Sequence, residues 1–284
     1  MRKVVRTKRL KNWYFFIPSI LGVFVFSVLP FCDIVYRSFL QGGRGPWVGV
    51  KNYQMLFSNT AFHLAVSNTV KFLCICLPPL LFISLIIAVF LKKNTKIDKL
   101  LKALLLLPLA VPLATVAVVW YIMFAESGIL NGLLSILGAS TRNWMNSSLA
   151  FNVLVVTYCW KNIGYNVVLW IAGLSRIPNE IYEAAHMDGA SKMLCFLKIT
   201  LPNLRQTGFM LSVLSLINFF KVYREAYLVA GDYPHTSMYM LQHLFNNWFR
   251  DMAIDRLAAV AVMETIVIMF VIYGLHRFWR EDSI

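Results

Sequence analysis

The residues best suited to binding a charged ligand lie together near the end of an apolar stretch. Lys221 and Arg224 are three positions apart, which places both on one face of a helix. Tyr223, Glu225 and Tyr227 lie beside them. Cations pair with carboxylates, and aromatic faces stack on sugar rings. The stretch predicts a substrate site for an acidic sugar, such as a uronic-acid oligosaccharide.

The same residues have a second interpretation that the sequence leaves open. Lys and Arg side chains also mark the outer membrane interface, where their charged ends reach the water. Lys161 follows Trp160 in the middle of another apolar run. Charged residues inside a membrane usually face the bundle interior or a water-filled cavity, so Lys161 is a further candidate for the substrate path. Its alternative role is to pair with a neighbouring helix.

The composition shows what kind of element must position these residues. Of the 284 residues, 59% are hydrophobic and only 14% are charged, and the mean hydropathy is +0.65. A soluble domain is usually about 25% charged. The composition therefore predicts a multi-pass membrane protein. One membrane-spanning helix needs about 20 apolar residues, so six would use about 120 of the 284. The loops take up much of the rest, which leaves too little length for an attached ATPase domain.

Six apolar runs predict an all-α fold with six transmembrane helices. A basic tail, 1–11, precedes a single transmembrane domain, 12–284. Membrane β-strands alternate over about 10 residues, whereas these runs are continuous and longer. The predicted helices are 12–32, 72–91, 103–125, 149–173, 206–230 and 257–276.

The basic residues of the loops predict the orientation. Segments 1–11, 92–102, 174–205 and 277–284 carry 17 of the 27 Lys and Arg residues. The loops on the opposite side carry seven. Cytoplasmic loops are enriched in Lys and Arg, so both termini are predicted to be cytoplasmic. This distribution also accounts for the net charge of +14 without nucleic acid as a partner.

Patterns typical of enzymes and metal sites do not occur in the sequence. There is no Walker A, H-E-x-x-H or G-x-S-x-G motif. The five histidines are scattered, and the five cysteines have no zinc-ligand spacing. We therefore expect no catalytic residues, no metal site and no cofactor in this chain. An integral membrane enzyme is disfavoured because no carboxylates or histidines cluster at a membrane face.

The loop 175–202 predicts two short cytoplasmic helices separated by a break. Pro178 suits a helix start, and Glu180 and Glu183 in the first turns favour the helix dipole. Gly189 suits a helix C-terminus that needs a positive φ, and Ser191 can cap a second helix. The result is a compact helical knob held out from the membrane. We call residues 175–202 the coupling knob.

The knob sequence resembles a known family. Glu183-Ala184-Ala185, three residues, Gly189, nine residues, Ile199, one residue and Leu201-Pro202 match the EAA loop of membrane subunits of binding-protein-dependent ABC importers. The resemblance to the carbohydrate-uptake class extends over nearly the whole chain. It includes Val48-Gly49-Val50-Lys51-Asn52-Tyr53 and Gly128-Ile129-Leu130-Asn131, but the Gly-Gly-Pro stretch common after helix five is only loosely matched.

The resemblance implies a type I importer permease, similar to the first permease subunit of maltose, glycerol-phosphate and oligosaccharide systems, in a bacterial plasma membrane. Its expected partners are a second homologous permease, an ATPase dimer that binds ATP and Mg²⁺, an extracytoplasmic sugar-binding lipoprotein, membrane lipid and an oligosaccharide substrate. By the same resemblance, the knob couples to the ATPase. The coupling candidates are Glu183, Ala184, Ala185, Asp188, Gly189 and Ala190.

Two alternatives are weaker. An importer for a non-sugar substrate such as a peptide or ion is disfavoured by the carbohydrate version of the loop. An ATP-independent secondary transporter predicts an inverted repeat between the halves of the chain, which the sequence does not show, and it leaves the knob unexplained.

Overall fold

The computed structural model describes residues 16–93, 95–221 and 223–279. Within these ranges the chain is helical and has no strand; one isolated bridge pairs Leu40 with Trp47. The predicted all-α fold is confirmed. The basic tail 1–11, the start of the predicted first helix and the C-terminal residues 280–284 lie outside the described residues.

Helices occupy all six predicted segments. The first, α1, is interrupted only by a π-helical turn at Phe24–Val28, and α9 continues through a second π turn, Phe196–Thr200, into Leu201–Asn203. Short 3₁₀ turns lie at Gln41–Gly43 and Thr236–Met238. The helices are α1 (Ile17–Arg37), α2 (Lys51–Phe57), α3 (Thr60–Leu91), α4 (Lys96–Ala110), α5 (Leu113–Phe124), α6 (Ile129–Ile136), α7 (Leu149–Leu174), α8 (Asn179–Met187), α9 (Lys192–Cys195), α10 (Arg205–Phe219), α11 (Tyr223–Ala230), α12 (Leu241–Arg250) and α13 (Ile254–Trp279).

Four segments of the described chain are long and apolar enough to cross a membrane by themselves. They are Ile17–Arg37, Thr60–Leu91, Ala114–Ile136 and Ile254–Trp279. Helix α7 has the length of α13 but carries Lys161 and the buried Asn162 and Asn166. These polar residues lower its mean hydropathy, and two of them, Lys161 and Asn162, line a cavity.

Two of the predicted membrane helices are broken. The predicted helix 103–125 is α4 followed by α5, with Val111 in an extended conformation at the junction. Pro112 causes this break, since it lacks an N–H and disfavours helical geometry in the preceding residue. The predicted helix 206–230 is α10 followed by α11, with a turn at 220–221 between them.

The second predicted helix is longer than expected, since α3 begins at Thr60 rather than at residue 72. Pro78 and Pro79 lie inside it, and proline is tolerated in membrane helices when neighbouring groups satisfy the freed carbonyls. The predicted outer loop between the first two membrane helices, 33–71, is correspondingly shorter. It contains α2, in which Asn52 donates hydrogen bonds to the carbonyls of Ser38 and Leu40 at 2.8 and 2.9 Å.

The backbone divides into two compact units. One contains the described residues up to Thr60 together with Asn247–Ile268, and the other contains Ala61–Asn246 with Met269 onward. The second unit has a core around Phe72, whose ring contacts those of Phe151, Tyr158 and Phe219 at centroid distances of 5.2–6.0 Å. These rings come from α3, α7 and α10.

Glycine allows α4 and α7 to approach closely in this unit. A Cβ placed on Gly164 would lie 1.9 Å from the carbonyl oxygen of Leu105. Because that atom belongs to the backbone, a side chain here would force the two helices apart. Small residues at helix interfaces are the usual means of close packing in membranes. Gly164 lies nearly one turn beyond Lys161 on α7.

Asn131 fixes the outer loop that follows α5. Its amide nitrogen donates to the carbonyls of Ala125, Glu126 and Arg142, and its Oδ1 accepts from the Arg142 N–H and from Trp144 Nε1, at distances of 2.9–3.3 Å. Asn131 is buried, so one side chain satisfies several loop groups that would otherwise be costly to bury. The asparagine in Gly-Ile-Leu-Asn therefore has a structural role.

Candidate functional site

A cavity of about 190 Å³ brings Lys161 and Lys221 together. The first lies in the middle of α7, and the second lies in the turn between α10 and α11. Leu109, one residue before the end of α4, adds the edge of the other broken helix. The cavity therefore lies where two membrane helices are interrupted. Its remaining lining residues are Thr157, Tyr158, Asn162 and Asn218.

Hydrogen bonds fix several of these side chains. Asn218 Oδ1 accepts from Lys221 Nζ at 3.0 Å, which holds the ammonium group one helical turn from its partner. Asn162 donates to the carbonyl of Tyr158 at 2.9 Å. The Tyr158 hydroxyl donates to the carbonyl of Ser215 at 2.8 Å, which joins α7 to α10. The polar wall is thus pre-positioned.

Sequence reasoning predicted the two lysines and missed the uncharged polar residues. Thr157, Asn162 and Asn218 were hidden among apolar neighbours. A signal was nevertheless present, because Tyr158, Asn162 and Asn166 recur every four residues on one face of α7. Polar groups repeating on one face of a membrane helix indicate a face turned away from lipid.

The other predicted substrate residues do not line this cavity. Tyr223 and Tyr227 are half-buried and pack on each other with ring centroids 5.5 Å apart. Arg224 is exposed, and the side chain of Glu225 lies outside the described residues. Tyr223 also contacts the buried ring of His243 on α12, at a centroid distance of 4.8 Å.

His243 is buried in a neutral form. Its Nδ1 accepts a hydrogen bond from the N–H of Met240 at 3.2 Å, so the ring proton belongs on Nε2. That nitrogen is buried with no hydrogen-bond partner among the described residues. Burial lowers the pKa of His243 to about 4, against a weaker opposing effect of Asp232. The ring acts as an uncharged packing surface for Tyr223.

The coupling knob is built from α8, α9 and the cap between them. Gly189 has φ +79°, in the left-handed region. Its N–H donates to the carbonyl of His186 at 3.0 Å, and the N–H of Ala190 donates to that of Ala185 at 2.9 Å. These two bonds form a Schellman cap. The spacing of three residues between Ala185 and Gly189 is the spacing that this cap requires.

Contacts on its inner side attach the knob to the ends of the membrane helices. The hydroxyls of Tyr182 and Thr200 lie 2.8 Å apart. Lys92, next to the end of α3, places Nζ 5.1 Å from the centre of the Tyr182 ring. Ser191 caps α9 by accepting from the N–H of Leu194. The knob therefore has a defined orientation.

The predicted coupling residues lie on the outer side of the knob or at its edge. Glu183, Ala184, Asp188 and Gly189 are exposed, and Ala185 and Ala190 are half-buried. Met187, which the sequence analysis did not single out, is 88% exposed. An exposed methionine beside small side chains gives an adaptable apolar surface. A protruding surface of this kind suits contact with another protein.

The described residues contain no group of three or more His, Cys, Asp or Glu side chains that could hold a metal ion.

The sequence is similar to those of known transport permeases along most of its length. The chain is 29% identical over 278 residues to the arabinooligosaccharides transport system permease protein AraP of Bacillus subtilis, covering 95% of this chain and 88% of the relative. It is 30% identical over 274 residues to the trehalose/maltose transport system permease protein MalF of Thermococcus litoralis, covering 93% of each.

A solved structure shares the fold along the whole chain. The crystal structure of a bacterial ABC transporter involved in the import of the acidic polysaccharide alginate matches with a TM-score of 0.79 at 20% identity, covering 100% of both chains. The family model described as binding-protein-dependent transport system inner membrane component matches residues 80–280. The chain therefore belongs to the family of inner membrane components of binding-protein-dependent transport systems.

Proposed function

We propose that this chain is a permease subunit of an ATP-driven importer for acidic oligosaccharides and that the cavity between Lys161 and Lys221 is its substrate site. The family consists of transport permeases rather than catalytic subunits, and the relatives named above belong to oligosaccharide or disaccharide systems. The observation that carries the acidic specificity is the meeting of two lysines, 60 positions apart in the sequence, in one cavity.

The cost of intramembrane charge supports a functional role for these lysines. A charged residue in a membrane segment is expensive and typically lines a substrate or ion path. Both lysines line one cavity, and a carboxylate bound there would be attracted by two positive charges. Charge-assisted hydrogen bonds of this kind contribute about 1.5–3 kcal/mol each.

The helix breaks supply a second argument. Irregular backbone at membrane depth is tolerated where it lines a cavity, and in transporters the N-termini of half-helices point at anionic substrate groups. Lys221 lies two positions before Tyr223, the first residue of α11, and its carbonyl accepts from the N–H of Arg224. The amides of Asn162 and Asn218 suit the hydroxyls of a sugar.

The test compares acidic and neutral substrates in matched variants. Uptake of oligogalacturonate and of its carboxyl-reduced, neutral analogue would be measured in vesicles containing the assembled transporter. Lys161→Gln and Lys221→Gln are each expected to reduce acidic uptake about tenfold or more, without reducing ATPase activity. Lys71→Gln is the control, because Lys71 lies over the Phe151 ring and outside the cavity.

Equal loss of neutral and acidic uptake, or unchanged acidic uptake in both variants, contradicts the acidic specificity. Uptake of the neutral analogue alone indicates a neutral-sugar importer and leaves family membership intact.

The coupling knob is the proposed contact with a separate ATPase dimer, which would bind ATP and Mg²⁺. The remaining proposed partners are a second permease and an extracytoplasmic binding lipoprotein. In this mechanism, closure of the ATPase dimer moves the knob. The packing of Tyr182 against the apolar cluster formed by α3 and α7 transmits the motion to these two helices. The cavity then alternates its access between the two sides of the membrane.

A pull-down in mild detergent tests the coupling. Ala184 is exposed on the outer side of the knob, so Ala184→Trp should leave the fold intact but block a close-fitting groove. We expect the ATPase to co-purify with the wild type and with Ala184→Ser, and to be lost with Ala184→Trp. Retention of the ATPase by Ala184→Trp would place the contact elsewhere.

A further inference from the structure

A second cavity lies on the inner side of the coupling knob, within the second compact unit. It has a volume of about 340 Å³ and opens at the surface predicted to be cytoplasmic. Residues from the ends of α3 and α7, from α8 and from the α9 segment line it. Its polar lining consists of Lys92, Asn179, Tyr182, His186, Lys192 and Thr200.

The charge of this cavity is unbalanced. Lys92 follows α3, Lys192 is the first residue of α9, and His186 lies on α8; all three line the cavity. Among the residues that the structure describes, no Asp or Glu side chain lines it. The acidic residues of the same helix, Glu180 and Glu183, are exposed and are not part of the lining. The cavity is therefore suited to an anion.

Within the described part of the chain, the partner that positions Lys92 is an aromatic ring and not a carboxylate. The ammonium of Lys92 lies over the ring of Tyr182, and the hydroxyl of Tyr182 is engaged with Thr200. A cation–π contact positions the ammonium but leaves its positive charge uncompensated. The three N–H groups of an ammonium can serve both the ring and an anionic oxygen.

The depth of the cavity indicates the chemistry of the anion. Lys92 directly follows the last residue of α3, and Leu174, the last residue of α7, is also part of the lining. Two helices thus end beside this cavity, on the side of the chain that the basic loops predict to be cytoplasmic. Basic pockets between membrane helices on the cytoplasmic side bind anionic lipid headgroups.

We propose that this cavity is a binding site for a phosphate group, carried by the headgroup of an anionic phospholipid or by free phosphate. The phosphate oxygens accept hydrogen bonds from Lys92 and Lys192, so the ligand bridges the end of a membrane helix to the second helix of the knob. Occupancy stabilises the orientation of the knob. This site is separate from the proposed sugar site and does not depend on it.

Native mass spectrometry of the purified full chain tests the site. The chain would be titrated with phosphatidylglycerol and with phosphatidylcholine, which lacks net charge. The double variant Lys92→Gln/Lys192→Gln should bind phosphatidylglycerol about tenfold more weakly than the wild type. The matched double variant Lys93→Gln/Lys198→Gln removes the same charge from exposed positions of the same loops and should bind as the wild type does.

Inorganic phosphate forms the second arm. An increase in the thermal unfolding midpoint with phosphate but not with chloride at equal ionic strength, lost in Lys92→Gln/Lys192→Gln only, identifies free phosphate as the source. Selective phosphatidylglycerol binding without that increase identifies the lipid. Equal binding of both lipids together with no response to phosphate, or equal weakening in the two double variants, overturns the proposal.

Discussion

The coupling knob and the lysine-lined cavity are held in place by different kinds of interaction. The knob depends on bonds between residues close in sequence: the Schellman cap at Gly189 and the N-cap at Ser191. The cavity depends on contacts between distant segments, such as Tyr158 with Ser215 and Gly164 with Leu105. The knob is thus a locally specified element, whereas the cavity exists only after the helices pack.

The difference has a consequence for function. A rigid knob can transmit force without changing its internal structure. A cavity at helix breaks can open and close by small shifts of the surrounding helices, since the interrupted backbone at 111–112 and 220–221 is where bending costs least. Local changes in the knob should therefore alter coupling, and changes in helix packing should alter the whole second unit.

The largest expected effect comes from adding a methyl group between α4 and α7. Gly164→Ala places a Cβ against the backbone of Leu105, and neither helix can move without disturbing the cavity. We expect destabilisation of about 3 kcal/mol and a clear fall in the thermal unfolding midpoint in detergent.

The matched control is Gly132→Ala in α6. A Cβ at Gly132 meets nothing within 4 Å, and alanine favours the helix by about 1 kcal/mol. Equal behaviour of the two variants would show that packing at Gly164 does not stabilise the cavity.

The next largest effect is a pH dependence of stability that arises from the buried His243 on α12. The pKa of His243 is about 4 in the folded protein and about 6.5 when exposed. The folded protein disfavours protonation of His243. The contribution of neutral His243 to the free energy of unfolding is therefore fully present above about pH 6.5 and is lost as the pH falls toward 4. The loss is at most roughly 3 kcal/mol.

Thermal unfolding midpoints measured between pH 7 and pH 4 check this prediction. His243→Asn keeps an acceptor for the N–H of Met240 and should flatten the pH dependence. The interpretation fails if the variant and the wild type lose stability in parallel.

A change at Gly189 tests the local specification of the knob. Valine at φ +79° is strained by about 1–2 kcal/mol, whereas asparagine tolerates this region. Nothing lies within 4 Å of the added Cβ, so the strain acts through the backbone alone. Gly189→Val should reduce uptake and ATPase co-purification, and Gly189→Asn should retain both. Similar losses in both variants would instead indicate a direct contact at Gly189.

The smallest effect is expected at Ser191. Removing the hydroxyl in Ser191→Ala leaves the N–H of Leu194 without its cap and costs about 1 kcal/mol. Ser191→Asp should restore stability because aspartate is an equally good N-cap. Thermal unfolding of the two variants distinguishes loss of the cap from loss of a partner contact, since only the former is rescued by aspartate.

The features that could be predicted from the sequence are those set by interactions between residues close in the chain. The caps of the knob were predicted because Gly189 and Ser191 have conformational preferences that act within a few residues. Pro112 also indicates the break before Leu113, although the sequence analysis predicted a continuous helix over 103–125. The break after Phe219 carried no such signal, since neither glycine nor proline lies at 220–222.

By itself, the sequence determined the membrane class, the six helical segments and the form of the knob. Hydropathy and capping preferences act over one helix or one turn and do not need the rest of the fold. Only the tertiary structure decided that Lys161 and Lys221 share a cavity while Tyr223 packs on His243. These pairings depend on how α4, α7, α10 and α12 pack, and packing between distant segments follows from the complementary shapes of all of them together.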